Sequence, residues 1–374
     1  MQNVAQSWLV YRLTHSSLLL GAATFFTHLP VLLLSPLAGI VADRYSRRAV
    51  VILTQSLFLL QAVTLAWLTL SGRVTVQHVL ILAFFLGCVN AFDVPSRQAL
   101  MIHMAAKEDL LSAISLNSAM FNSARVIGPS IGGIVVARVG EGACFVLNAV
   151  SFLAVIIGML AMRLPSVRFS VVDSPWSHLK EGLAYAWRDQ TVRSVLAMCA
   201  VVTITSSPML VLAPVFAEGI FGRGSVGLGL MTASLGCGAI GGAIGLARRG
   251  TVTGLADVVR RCAMLLGCSL AAVAAAPSFL IAALSTAVVG FAVFRQNASA
   301  NTLIQTRIAE EYRGRVMALY SMVNIGLLPI GSILAGWLAE IAGPRWTVAA
   351  GGAGCLVGAL FFKPRWAEVP LSSS

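Results

Sequence analysis

Apolar residues fill long, nearly unbroken runs along this chain, and polar residues collect in short stretches between them. The runs cover residues 18–41, 49–70, 76–100, 112–139 and 143–162, then 194–217, 226–247, 258–276, 279–303, 316–341 and 347–362. Strands rarely exceed about 10 residues, whereas about 20 helical residues cross a hydrocarbon core about 30 Å thick. The pattern therefore predicts membrane-crossing helices. A shorter run over residues 4–13 precedes them and rises only about 15 Å, half of that core. Counting it, twelve segments fall into two sets of six around the longest polar stretch, residues 163–193. Within that stretch Ser174 and Pro175 suit an N-cap and a first helical position, and Trp176, Leu179, Leu183 and Trp187 share one face. This predicts an amphipathic helix lying on the membrane surface. The predicted organisation is a first bundle over residues 1–162 with an incomplete first helix, a linker over 163–193, a second bundle over 194–363 and a tail over 364–374.

With 58% hydrophobic residues, 11% charged residues and a mean hydropathy of +0.87, the chain has too little polar surface for a soluble globule of 374 residues. The lipid bilayer is the implied solvent. A net charge of +12 raises the question of nucleic acid, but the basic residues lie at the ends of apolar runs and do not cluster with exposed aromatics. They report topology instead. When loops are assigned alternately, nineteen basic residues share the side of the turn at residues 39–48 and five lie opposite, which predicts that this turn and both termini are cytoplasmic. Seven cysteines show no CxxC spacing and sit mostly within apolar runs, as packing residues do. The five histidines are scattered, so an intramembrane enzyme lacks its constellation of nucleophile and base, and a sensor or scaffold lacks a soluble domain. Gly128-Pro129-Ser130-Ile131-Gly132 satisfies G-x-S-x-G and residues 236–241 spell G-x-G-x-x-G, yet both lie inside helical apolar runs, where small residues predict helix packing.

A weak internal repeat supports the two-set reading. At an offset of 203, Ala106, Glu108, Leu116, Ser118, Gly128, Gly133 and Gly140 fall on Ala309, Glu311, Leu319, Ser321, Gly331, Gly336 and Gly343. The same offset carries Gly39 to Gly242 but Asp43 to Leu246, so the second half keeps a basic turn, Arg248-Arg249, without the acid.

The turn Gly39-Ile40-Val41-Ala42-Asp43-Arg44-Tyr45-Ser46-Arg47-Arg48 stops one apolar run and precedes the next. It resembles the G-x-L-A-D-R-x-G-R-R string between helices 2 and 3 of the major facilitator superfamily. Gly39, Asp43, Arg44, Arg47 and Arg48 match, and Ser46 replaces the second glycine. Residues 90–99, 116–118 and 312–317 resemble the enterobactin-exporter-like branch, the transmembrane secretion effectors. The resemblance implies an all-α polytopic membrane protein of two six-helix bundles, whose first helix would continue upstream of Met1. It also implies a monomeric secondary transporter of the bacterial cytoplasmic membrane that exports a small siderophore-like or drug-like organic molecule by alternating access. No bound cofactor or metal is implied, and proton coupling is an expectation from the family alone. An uptake permease of the same fold is the alternative.

The candidate site follows from polar residues at membrane depth. Arg125 lies about 20 Å along its helix, near the midplane, where a charge costs at least about 2.5 kcal/mol, and it shares a face with Asn122 and Ser118. Asn90, Asp93 and Arg97 share a face of the fourth segment. Phe294, Asn297, Asn301 and Gln305 form a stripe beside Arg295 on the tenth, and Asn324 adds a polar group on the eleventh. These residues are expected to line a substrate and coupling cavity. The resemblance assigns Asp93 to an inner gate with Arg47 and Asp43, and it likens Gly128, Pro129, Gly132 and Gly133 to a helix-5 motif of exporters.

Overall fold

The computed structural model describes residues 1–104, 110–162, 183–249, 251, 253–308 and 310–362. The side chains of residues 35, 36, 39, 40, 42–44, 99, 101–104, 110–119, 121, 122, 125, 310 and 311 fall outside that description, as does most of the expected surface helix and the tail. Every regular element among the described residues is helical. The first half comprises α1 (Gln2–Thr14), α2 (Ser17–Arg44), α3 (Arg47–Leu70), α4 (Val76–Met104), α5 (Leu110–Val139) and α6 (Glu141–Ala161). The second comprises α7 (Gln190–Pro214, continued by a π-turn, Val215–Ile220), α8 (Gly224–Ala247), α9 (Leu255–Ala275), α10 (Phe279–Arg307), α11 (Glu310–Gly326), α12 (Leu328–Ala342) and α13 (Pro344–Phe361). Nine described stretches are long and apolar enough to cross a membrane, and one of them, Tyr312–Ala342, joins α11 to α12.

Two boundaries differ from the sequence expectation. The charged turn is only Tyr45 and Ser46, because α2 continues through Arg44 and α3 begins at Arg47. Ser46 is the N-cap of α3 and accepts from the Ala49 N–H, so the residue that replaces glycine has a capping role. The span expected to run unbroken over 316–341 is interrupted at Leu327, where Pro329 cannot donate to the carbonyl four residues earlier.

Each half packs on itself, through α2·α4 and α3·α6 in the first and α8·α10, α9·α10 and α9·α13 in the second. The halves meet along α5·α8 and α2·α12. We call the end carrying Tyr45–Ser46 and the α8–α9 turn the basic end, and the other the far end. Among the described residues, the close contacts between halves lie toward the far end. A Cβ on Gly133 would lie 2.6 Å from the Ser225 carbonyl oxygen, and one on Gly336 would lie 2.6 Å from that of Ser17. Glycine alone permits such backbone approach. Across from them stand Gly229 and Gly21, whose Cα atoms are within 3.1 Å of those Cβ positions. Ser225 also donates to the Gly133 carbonyl, 3.1 Å. On α12, the Glu340 carboxylate accepts from the Ser17 N–H (3.0 Å), the Leu18 N–H (3.2 Å) and the Ser16 hydroxyl (3.3 Å), capping the start of α2.

The repeat at offset 203 is realised in three dimensions. Gly133 and Gly336 make the two equivalent crossings. Gly140 and Gly343 adopt φ of 90° and 89° as N-caps of α6 and α13, a region that favours glycine. Gly128 faces the start of α1 and Gly331 faces α7, the first helix of each half.

Two outcomes follow. Gly336→Leu overpacks the α2·α12 crossing by about 1–3 kcal/mol. In a cysteine-free background a cysteine at Leu20, 2% exposed here, then reacts with a bulky thiol reagent roughly tenfold faster; equal rates would show that this crossing does not close the far end. Glu340→Ala removes the acceptor from two helix-terminal amides and accelerates hydrogen exchange at Ser17 and Leu18, whereas Glu340→Gln, which keeps an oxygen there, preserves most of the protection.

Candidate functional site

Between the halves lies a cavity of about 1340 Å³. Its lining begins midway along the helices and extends to Arg97 on α4 and Thr302 on α10 near the basic end, while the glycine crossings close the far end. The lining also takes in Gln55 and Phe58 on α3 and Asn148, Ser151 and Phe152 on α6, while no residue of α9 or α13 is among it.

The first-half wall carries the charge. Asp93 is 1% exposed, and its Oδ1 accepts from the Thr54 hydroxyl (2.8 Å) and the Gln55 amide (3.0 Å), both on α3. Its Oδ2 lies 3.4 Å from Nε of Arg97, whose own side chain is exposed. A buried carboxylate with two neutral donors and one cation is well compensated. Above it, the Gln2 amide donates to Gln61 (2.9 Å) and the Asn148 amide donates to Gln2, tying α1 to α3 and α6.

The opposite wall is built of neutral polar groups. Asn297, Asn301, Tyr320 and Asn324 line it. The Tyr320 hydroxyl donates to the Asn297 carbonyl (2.7 Å) and the Asn324 amide donates to the Tyr320 carbonyl (2.9 Å), which joins α10 to α11 and fixes how the Asn324 side chain is turned. The side-chain oxygens of Asn297 and Asn324 have no partner, nor does that of the wholly buried Gln296. Such a surface can exchange hydrogen bonds with a polar solute without carrying charge.

Of the residues singled out from sequence, Asn90, Asp93, Arg97, Asn297, Asn301 and Asn324 are brought together around the cavity. Arg295 is not. It lies about 100° around α10 from Phe294, its guanidinium against Gly245 of α8 and 5.5 Å from the Phe291 ring. The side chains of Asn122 and Arg125 lie outside the described residues; their helix borders the cavity through Ala124 and Pro129. Gly39, Asp43 and Arg44 lie in the last turns of α2 with side chains likewise outside the description, and Arg47 is half-buried at the start of α3. Asp93, expected to face Arg47, is held here by Thr54, Gln55 and Arg97. Arg48 donates to the carbonyls of Met159 and Leu160 (3.1 Å each), closing the end of α6. In the helix-5 motif Gly132 abuts Met1 and Gly133 abuts α8, while Ser130 donates back to the Val126 carbonyl within a continuous helix, the context of packing rather than of a hydrolase elbow. Gly238 and Gly242 lie against the carbonyls of Ala287 and Phe291 on α10, so the glycine-rich run of α8 serves helix packing.

Sequence reasoning missed Thr54, Gln55, Gln2, Asn148 and Tyr320. For the three amides among them, Gln2, Gln55 and Asn148, the available signal was an amide in an apolar segment, which needs a partner there.

The sequence profile of the transmembrane secretion effectors matches residues 1–370. The staphyloferrin A transporter of Staphylococcus aureus (strain NCTC 8325 / PS 47) is 24% identical over 341 residues, covering 91% of this chain and 85% of that protein. The multidrug efflux pump Tap of Mycolicibacterium fortuitum is 27% identical over 382 residues, covering 99% and 93%. Among solved structures, the nucleoside transporter NupG superposes with a TM-score of 0.75 at 13% identity, covering 97% of this chain and 93% of that one. The inward open conformation of the xylose transporter XylE from E. coli gives 0.73 at 12% identity, covering 98% and 92%. At these identities the superpositions speak to fold alone, and they agree with two six-helix bundles around a central cavity. The chain thus belongs to the transmembrane secretion effectors of the major facilitator superfamily, membrane transporters of small molecules.

Proposed function

We propose that this protein exports a siderophore-like or drug-like organic molecule across the bacterial cytoplasmic membrane, driven by the proton gradient and working as a monomer, with the basic end in the cytoplasm. The observation that carries this reading is the cavity itself: both halves line it, it extends toward the basic end, and glycine crossings close the far end. It thus has the form of a cytoplasm-facing loading state. The basic-residue asymmetry supports the orientation. The relatives' names support the cargo, one a siderophore transporter and another a multidrug efflux pump. In the cycle, solute enters past Arg97, rests between the charged first-half wall and the neutral polar wall, and leaves when the α5·α8 and α2·α12 crossings part while the basic end closes. Asp93, with Asp43 and Arg47, holds the closed form of that basic end, and Arg125 contacts an anionic or polar part of the cargo.

Everted vesicles test direction and coupling together. With an inside-acid gradient, vesicles holding the protein should accumulate a macrolide or staphyloferrin A several-fold over vesicles lacking it, and a protonophore should abolish the difference. Accumulation only in right-side-out vesicles would identify an uptake permease. In the same assay Asp93→Asn removes a charge-assisted bond of about 1.5–3 kcal/mol and should lower transport about tenfold or more with membrane insertion intact. Arg125→Ala should likewise cut efflux and not insertion; unchanged efflux would remove Arg125 from the mechanism.

A further inference from the structure

The second half repeats the basic turn of the first without its acid, and the structure shows what surrounds it. Arg248 and Arg249 end α8, Arg260 and Arg261 lie in the second turn of α9, and Arg295 reaches in from α10. From Leu246 to Arg307 the sequence contains a single acid, Asp257. The backbone N of Arg295 packs at Gly242 and its guanidinium lies at Gly245, one turn nearer the basic end; a Cβ on Gly245 would sit 3.1 Å from Nη1. The glycines thus leave a groove in which Arg295 points toward the α8–α9 turn. Arg249 donates from Nη2 to the Thr253 carbonyl, 2.8 Å, and closes that turn.

Two donors remain unanswered. Nε of Arg249 and Nε of Arg295 are buried without a hydrogen-bond partner. A guanidinium held at membrane depth with an empty donor is costly. Arg248, Arg260 and Arg261 are exposed, and about one turn farther from the basic end Ile244 on α8 and Leu265 on α9 are exposed apolar residues. A ligand that suits the exposed arginines and the apolar residues beyond them carries an anionic phosphate at headgroup depth and an apolar body above it.

We propose that the groove between α8, α9 and α10 at the basic end binds an anionic phospholipid, its phosphate meeting the Nη groups of Arg295 together with the exposed Arg248 and Arg260, and its acyl chains lying along Ile244 and Leu265. Guanidinium is suited to phosphate because its planar fork presents several N–H groups to adjacent oxygens. The apolar surface commits the site to lipid over free phosphate, and the absence of any acid but Asp257 selects an anionic headgroup over a zwitterionic one. The site lies outside the substrate cavity and does not depend on the direction of transport.

The test is native mass spectrometry of the whole protein extracted from vesicles of phosphatidylethanolamine and phosphatidylglycerol. Wild type should retain phosphatidylglycerol in preference to phosphatidylethanolamine. Each arginine removed should weaken that retention about fivefold, so the exposed double variant Arg248→Gln/Arg260→Gln and the single variant Arg295→Gln should both lose it, with Arg73→Gln at the far end unaffected. The exposed pair keeps the experiment decisive if Arg295→Gln folds poorly. Undiminished retention in the exposed double variant would overturn the proposal, as would an equal loss in Arg73→Gln or displacement of the lipid by millimolar inorganic phosphate.

Discussion

A helix that ends in or against a membrane leaves backbone N–H or C=O groups without partners, and hydrocarbon supplies none. This constraint explains where the chain places its few charges. Arg48 at the start of α3 closes the last carbonyls of α6. Arg345 at the start of α13 closes Ala274 and Ala276 at the end of α9, at 3.0 and 3.1 Å. Under the internal repeat α3 corresponds to α9 and α6 to α13, so one helix pair is pinned by arginine in each half, at opposite ends. Asp189 caps α7 through Thr191 and Val192 and also meets Arg307 at 3.3 Å, tying the start of α7 to the end of α10. These contacts all lie within one half or the other and tie its helices together.

The contacts between halves are of another kind. At the far end they are backbone against backbone at glycines, with Glu340 on the α2 terminus and Ser225 on the Gly133 carbonyl as the polar additions. Close packing without large side chains is lost sharply when the surfaces separate, because little can deform to follow. A seam of that kind is closed or open, with few states between, which suits two halves that rock. Its polar groups can take water when it opens. Breaking it therefore strands no buried charge.

Much of this architecture was legible in the sequence, for reasons tied to the solvent. Run lengths near the membrane thickness gave the helices, and the offset of 203 residues identified Gly133 with Gly336 and Gly140 with Gly343, pairs that prove geometrically equivalent. Helix ends were harder to place. Residues 39–48 were too charged to assign to a helix by hydropathy, yet only Tyr45 and Ser46 leave helical geometry, because the helices extend beyond their apolar portions. The site was half legible. Asn90, Asp93, Asn297, Asn301 and Asn324 stood out as polar groups at depth, but depth does not specify azimuth, and Arg295 faces α8 rather than the cavity. Partners such as Gln55 for Asp93 and Gln2 for Asn148 come from other helices, and no spacing along one helix could reveal them.

In the gate role proposed for it, Asp93 would part from its partner across the gate without a large penalty. A carboxylate 1% exposed would be strongly destabilising if its only partner were an arginine that departs when the basic end opens. Here Thr54, Gln55 and Arg97 hold it. Thr54 and Gln55 belong to α3, in the same half as Asp93, and Arg97 is one turn away on α4. None of the three is carried off when the halves rock. The charge is therefore compensated locally in either state, and a cross-gate partner such as Arg47 need add only an increment on the order of 1–3 kcal/mol to favour closure. An increment of that size is what an alternating protein requires, since a stronger latch would leave one state too sparsely populated to serve the cycle.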